Sequence, residues 1–170
     1  MRTGEYMSRL EVNTMYIYFY KYPIGTLGIA ESGNAICRIC FGKDTFSGYT
    51  VKETPLINKT AGQFNEYFAG KRTEFDLPLE YDGTDFQRSV WNALLAIPFG
   101  ETQSYKEVAE SVGSPRACRA VGMANHRNPL AVIVPCHRVV EHGGGLGGYA
   151  GGLDAKRYLL DLEKNYNTIK

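Results

Sequence analysis

Ser104-Tyr105-Lys106-Glu107-Val108-Ala109-Glu110-Ser111-Val112-Gly113-Ser114-Pro115-Arg116-Ala117-Cys118-Arg119-Ala120-Val121-Gly122 sets the architecture of the second half of the chain. Ser104 and Glu107 stand at capping-box spacing, where the hydroxyl and the carboxylate each take a backbone N–H that the first helical turn leaves free. The helix they open runs to Val112-Gly113. Ser114-Pro115 then caps and begins a second helix straight away, and that helix carries Arg116 and Arg119. Two helices across one short glycine-containing turn make a helix-turn-helix arrangement. Helix pairs of this kind are common in small domains, so the arrangement needs chemistry beside it before it means DNA.

Upstream, Phe86, Val90, Leu94 and Ile97 recur at helical spacing until Pro98 ends the run. Before Tyr81-Asp82-Gly83-Thr84 the period changes. Thr14–Tyr20, Thr26–Ala30 and Ala35–Phe41 are β-branched and aromatic, separated by Pro23-Ile24-Gly25 and Ser32-Gly33-Asn34 turn signals, and read as an antiparallel meander. Thr54 is the expected N-cap of a helix with Pro55 in its first position, and Ile57, Ala61, Phe64 and Phe68 hold one face of it until Gly70. A last strand is expected around Thr73–Leu79. The fold class is therefore α+β: a small N-terminal antiparallel sheet with a helix over residues 1–84, then a mainly α-helical domain over residues 85–170.

The 170 residues are 44% hydrophobic and 22% charged, which excludes a disordered, collagen-like or coiled-coil chain. No apolar run approaches the roughly eighteen residues of a membrane span, so no membrane partner is expected. Met1–Asn13 lack the apolar core of a signal peptide, which predicts a cytoplasmic protein; Met7 and Met15 are alternative starts, and this leading tail is expected to be loose. The net charge of +1 hides a local asymmetry. Between Ser111 and Val140 stand Arg116, Arg119, Arg127 and Arg138 with no acid or lysine, a footprint suited to an anion such as a phosphate backbone. A solvated surface with scattered arginines has the same composition.

Without a secretion signal the four cysteines are expected as reduced thiols. Cys37 and Cys40 form a C-x-x-C, but a zinc site needs two more ligands, and residues three apart in a flat strand point to opposite faces; both read as core cysteines. Cys118 falls in the small-residue helix 117–124 and reads as packing. Gly143, Gly145 and Gly148 fit G-x-G-x-x-G formally, yet the chain ends before the second strand of a dinucleotide unit could follow. Cys136 differs. In Val132-Ile133-Val134-Pro135-Cys136-His137-Arg138-Val139 a thiol follows a strand-like apolar run and a proline that limits its direction, beside an imidazole and a guanidinium. His137 can take the thiol proton, and a carboxylate such as Glu163 can hold the imidazole tautomer. A buried cysteine beside a solvent-facing His-Arg pair would look the same in composition.

Pro135-Cys136-His137-Arg138-Val139, preceded by Arg119-Ala120-Val121-Gly122 and Asn128-Pro129 and followed by Gly148-Tyr149-Ala150-Gly151-Gly152-Leu153, resembles the O6-alkylguanine-DNA alkyltransferase family. The likeness is dense from Phe86 through Glu163 and looser before it. It implies a ribonuclease H-like first half in a supporting role and a winged-helix-like second half. It implies that Cys136 accepts the alkyl group from O6-alkylguanine, and O4-alkylthymine is a further candidate substrate, in duplex DNA. The thioether formed is stable, so each chain acts once. By the same likeness His137 is the base for Cys136 through a water, Glu163 polarises it and Asn128 braces the network, while Tyr105 supplies a proton or hydrogen bond to the displaced guanine at N3. Tyr149, Asn125 and the backbone around Val139 and Ala150 line the base pocket. Arg116, Arg119, Ala120, Gly122 and Arg138 face DNA, with the small residues pressed into the minor groove and Arg119 filling the stack after the nucleotide is rotated out.

Some members of the family carry serine where Ala150 stands; the contact expected there is a backbone N–H, so chemistry should survive. The zinc ligands of some relatives find no counterpart among Cys37, Cys40, His126 and His142, so no metal and no cofactor are expected, and the protein is expected to act as a monomer. Three rivals remain in view. A non-catalytic lesion-binding protein would lack the reactive cysteine. A transcription regulator would need base-reading Asn or Gln on a helix that is mostly alanine, glycine and arginine. A Cys-His hydrolase would turn over repeatedly and ignore DNA.

Overall fold

The computed structural model describes residues 14–168, and the expectations for the leading tail, 1–13, lie outside them. Strands β1 (Met15–Tyr22), β2 (Gly25–Ser32) and β3 (Ala35–Phe41) form the expected antiparallel meander. A short β4 (Tyr49–Val51) pairs parallel to β1, so the sheet is mixed, in the order β3-β2-β1-β4. Three residues carry too little periodicity to announce such a strand. In β3 the register shifts beside Ala30 and Glu31, so that Arg38 pairs with Ala30 and Ile36 with Glu31. The extra residue at Cys37 is a bulge, and it lets Ile36 and Ile39, three apart, both bury. The flat-strand argument for Cys37 and Cys40 therefore does not apply; both are half-buried free thiols, with Cys40 Sγ 3.8 Å from the Gly28 carbonyl.

Helix α1 (Pro55–Phe68) begins where the sequence placed it, with Ile57 N–H donating to Thr54 Oγ1 at 3.2 Å. Its buried face, Ile57, Ala61, Phe64 and Tyr67, packs on the sheet residues Leu27, Ile29 and Ile36. The strand expected around Thr73–Leu79 is absent. Its backbone touches β3 only at one bridge, where Ile36 N–H donates to Pro78 O at 2.8 Å and Glu80 N–H to Ile36 O at 3.0 Å. Pro78 has no N–H to offer, and the Gln63 side chain takes both backbone groups of Asp76, at 3.0 and 2.9 Å, in place of a ladder.

Helix α2 (Asp85–Leu95) opens with a capping box from Thr84 and Gln87. Its Trp91 donates to the Ala124 carbonyl at 2.9 Å and so ties α2 to a later helix. Gln103–Ser104 forms β5, and α3 (Tyr105–Ser111) follows with the Ser104–Glu107 capping box in place. The second helix of the pair does not start at Ser114-Pro115. Ala117 N–H instead donates to Ser114 O at 2.8 Å, a turn intervenes, and α4 spans Cys118–His126 without a side-chain cap. Arg116 consequently sits in the turn, and Arg119 is the second residue of α4.

The apolar run before Cys136 is a tight turn and not a strand. Val134 N–H donates back to Leu130 O at 2.8 Å, and Val132 holds φ of 71°, the one non-glycine residue of positive φ among the described residues. A β-branched residue in that region is strained, and burial on all sides holds it there. A 3-10 turn, Cys136–Arg138, follows, then β6 (Val139–Val140), which pairs parallel to β5, and last α5 (Leu153–Thr168). The first and second halves share one core: Ile39 N–H donates to Pro129 O at 2.8 Å, and Phe41 packs edge-on against Tyr149.

Candidate active site

The β5–β6 pairing sets Gln103 opposite Val139 and Ser104 opposite Val140. It brings Tyr105, first residue of α3, to the strand that leaves the Cys136 turn. Gly147 lies against the Tyr105 ring, with φ of +67°, and a Cβ there would come within 2.7 Å of the hydroxyl, so only glycine lets the phenol reach this place. Tyr105, Cys118, Arg119, Gly122, Asn125, His126, Cys136, Glu141 and the 147–150 loop enclose a cavity of about 660 Å³. That volume accommodates a flat heterocycle and its substituent.

Cys136 is 7% exposed, and Asn128 Nδ2 donates to its sulfur at 3.2 Å. The same amide group donates to Val134 O at 2.8 Å and accepts from Leu130 N–H at 2.9 Å, so it braces the turn as well as the thiol. Burial pushes the Cys136 thiol up, against the Asn128 hydrogen bond and the charge of Lys156. The resting group is a thiol, and its use as a nucleophile calls for a base.

His137 is fully buried, and its Nε2 lies 2.8 Å from Glu163 Oε1. Burial also lowers its pKa, against the pull of the carboxylate, and keeps the imidazole neutral. Nε2–H then donates to Glu163, which leaves Nδ1 as a buried acceptor with no partner among the described residues. Glu163 is saturated: Tyr67 Oη donates at 2.7 Å, Arg138 Nε at 2.9 Å, Arg138 Nη2 at 3.1 Å and Gly100 N–H at 3.1 Å. Burial opposes its charge, but the hydrogen bonds from His137 and Arg138 and the charge of Arg138 outweigh that and hold the carboxyl well below the usual carboxylate range.

Arg138, expected at the DNA face, is instead buried at 7% exposure, donating to Glu163 and, through Nη1, to Ile97 O at 2.7 Å. A guanidinium is retained in the interior only with such a paired carboxylate, and here it neutralises the charge that orients His137. Val139 is fully buried and is not among the residues that enclose the cavity; its carbonyl accepts Lys156 Nζ at 2.6 Å. Tyr149, Ala150, Asn125 and Gly122 do line the cavity, with Arg119 at its edge, while Arg116 and Ala120 are exposed beside it.

Lys156 is the residue that sequence reasoning missed. It is fully buried, and besides Val139 its Nζ lies 3.5 Å from Gly148 O, so one ammonium clamps the β6 carbonyl to the cavity loop. The helical spacing Lys156, Leu159, Glu163 placed it on the inward face of α5 and was a legible signal. Cys118, His126 and Glu141 also line the cavity without having been singled out for it. The buried polar atoms left without partners among the described residues are Asn125 Nδ2 and Oδ1, Tyr149 Oη and His137 Nδ1. Two of their three residues line the cavity and the third follows Cys136, an arrangement that invites a polar ligand or water.

Residues 85–165 match the family described as "6-O-methylguanine DNA methyltransferase, DNA binding domain", and residues 15–81 match "6-O-methylguanine DNA methyltransferase, ribonuclease-like domain". The chain is 49% identical over 146 residues to the methylated-DNA–protein-cysteine methyltransferase of Mycobacterium tuberculosis, covering 84% of this chain and 88% of the relative. It is 47% identical over 155 residues to the protein of the same name from Methanosarcina barkeri, covering 89% and 98%. Among solved structures it is similar to Mycobacterium tuberculosis OGT in complex with DNA, with a TM-score of 0.84, 46% identity, and 89% and 94% of the two chains covered.

Proposed function

The chain belongs to the 6-O-methylguanine DNA methyltransferase family, whose reaction moves an alkyl group from O6 of guanine in DNA to a cysteine of the protein, and we propose that Cys136 is that cysteine. The observation that carries this reading is the thiol at the cavity wall beside an imidazole whose one free nitrogen, Nδ1, is a buried acceptor without a partner. A water between Nδ1 and Sγ passes the thiol proton to His137. The thiolate attacks the alkyl carbon in line, the S–C bond forms as the C–O6 bond breaks, and the electron pair stays with guanine. Tyr105, kept protonated by burial, donates to the resulting purine anion, and the proton on His137 closes the balance. Asn128 holds the sulfur, and Asn125 and Tyr149 offer their unpartnered polar atoms to the base edge.

Duplex DNA is the substrate in this reading, supported by the likeness to a relative solved with DNA and by the exposed Arg116, Arg119 and Arg127 on and beside α4. The helix-turn-helix of α3 and α4 would lie in the minor groove, with Ala120 and Gly122 allowing close approach and Arg119 replacing the extruded nucleotide. We divide the chain functionally into 1–84, in support, and 85–170, which binds DNA and carries the reaction. Thiol, relay and arginine face all belong to one chain, which supports action as a monomer. Mass spectrometry after mixing with excess duplex containing O6-methylguanine tests the reading: one added methyl group per chain is expected, on Cys136, with no further turnover. An unmodified Cys136 with selective binding retained would leave a lesion-recognition protein and remove the transfer step.

A further inference from the structure

Tyr67 belongs to α1, far in sequence from the relay, yet its hydroxyl ends on Glu163 Oε1 at 2.7 Å. That oxygen is the one His137 Nε2 uses, at 2.8 Å, and Arg138 Nη2 shares it at 3.1 Å. The ring is 1% exposed and held by Phe68, Phe75 and Phe99, with centroids 5.3, 5.5 and 6.1 Å away, so the hydroxyl cannot swing elsewhere. A phenylalanine would fill this aromatic cluster equally well. A buried hydroxyl is favoured over it only when it is hydrogen-bonded, and the partner here is the relay carboxylate. Nor does the charge of Glu163 need it, because Arg138 gives two bonds and Gly100 N–H a third.

We propose that Tyr67 is a positioning residue for alkyl transfer, supplied by the N-terminal unit, whose hydroxyl limits the hold of Glu163 Oε1 on His137 and keeps the imidazole neutral and free to act as a base. The proposal rests on the reading of Cys136 and His137 given above. Oε1 shares its lone pairs among three donors, and each donation drains charge that would otherwise stabilise an imidazolium. Without the hydroxyl, Oε1 binds Nε2–H more strongly, the imidazolium gains, and Nδ1 stays protonated to higher pH. The unit that does not carry Cys136 thereby tunes the pH at which that thiol is activated.

Single-turnover transfer from a duplex containing O6-methylguanine, followed against pH, tests this in the full chain. In Tyr67→Phe the rate should fall about threefold to tenfold near pH 6.5, approach the wild type as pH rises, and so move the acid limb upward. Tyr67→Met removes the hydroxyl with different packing and should shift the limb the same way. Phe75→Leu loosens the same cluster but keeps the hydroxyl, and should lower thermal stability without moving the limb. The His137 imidazole titration by NMR, assigned through His137→Gln, should move up in Tyr67→Phe whether or not transfer occurs. A profile that only scales down with an unmoved titration overturns the proposal, as does an equal shift in Phe75→Leu. A wild type that leaves Cys136 unmodified would instead overturn the transferase reading, and the NMR titration would still decide Tyr67.

Discussion

Glu163 accepts hydrogen bonds from Tyr67, His137, Gly100 and twice from Arg138 while its side chain is 1% exposed, so its charge is compensated inside the fold and the neighbouring imidazole can stay neutral. This gives stability a definite pH dependence. The unfolded chain protonates His137 near pH 6.5, at about the unperturbed value, whereas burial keeps the folded imidazole neutral to lower pH, so acid favours the unfolded state. The His137 contribution is complete above about pH 6.5 and is lost as pH falls from there through the folded pKa. Glu163, held low, adds a further loss that begins only below about pH 4.3. The urea midpoint should therefore drop between about pH 7.5 and 5.5, and drop less in His137→Gln. Equal drops in the two proteins would assign the titration to another group.

Among elements, α3 repays attention because its first residue is Tyr105 and its cap is legible from sequence. Ser104 Oγ accepts from Glu107 N–H at 3.2 Å, and Glu107 Oε2 accepts from Ser104 N–H at 2.7 Å. Ser104→Ala should cost about 1 kcal/mol, read as a melting temperature lower by about 2–4 °C for a chain of this size. Transfer should slow as well, since fraying of the first turn moves the Tyr105 phenol out of its place over Gly147. An unchanged melting temperature would mean that the β5–β6 pairing, and not the cap, fixes the start of α3. The other elements sort by the range of their causes. Caps at Thr54, Thr84 and Ser104 act over three residues and are present. The expected cap at Ser114 yielded to a local turn, in which Ala117 N–H goes to the Ser114 carbonyl instead of its hydroxyl, and the expected strand at Thr73–Leu79 yielded to Gln63, which comes from α1 to take both backbone groups of Asp76.

At the scale of the molecule, the N-terminal sheet reaches the cavity loop directly. Phe41 of β3 meets Tyr149 edge-on with centroids 5.6 Å apart and lies so close over Gly151 that an added Cβ would overlap its ring. Gly151→Ala must then turn the Phe41 ring away from Tyr149 or push β3 and the loop apart, at a cost of about 1–3 kcal/mol, and disturb the cavity wall beside Tyr149. Chemical denaturation should show the loss, and transfer from O6-methylguanine should slow with it. A variant as stable and as active as the wild type would show that the loop can move away from the sheet without consequence. No helix of the described residues is long and apolar enough to cross a membrane.

Composition, capping and turn chemistry act between residues close in the chain, so the class of the fold, the caps of α1 and α3 and the candidate thiol were legible from the residues alone. Cys136 and His137, with Glu163 as one candidate carboxylate, could be named as candidates from their residue types, whereas Asn128 and Tyr105 came only from the family likeness. Contacts between residues far apart were not legible in the sequence: Tyr67 on Glu163, Arg138 withdrawn from the surface to pair with the same carboxylate, and Lys156 clamping Val139 to the cavity loop. A charged side chain reads as exposed from its own neighbourhood. Whether it is buried depends on a partner that folding brings from elsewhere, and the desolvation cost that such a partner offsets has no signature in local sequence.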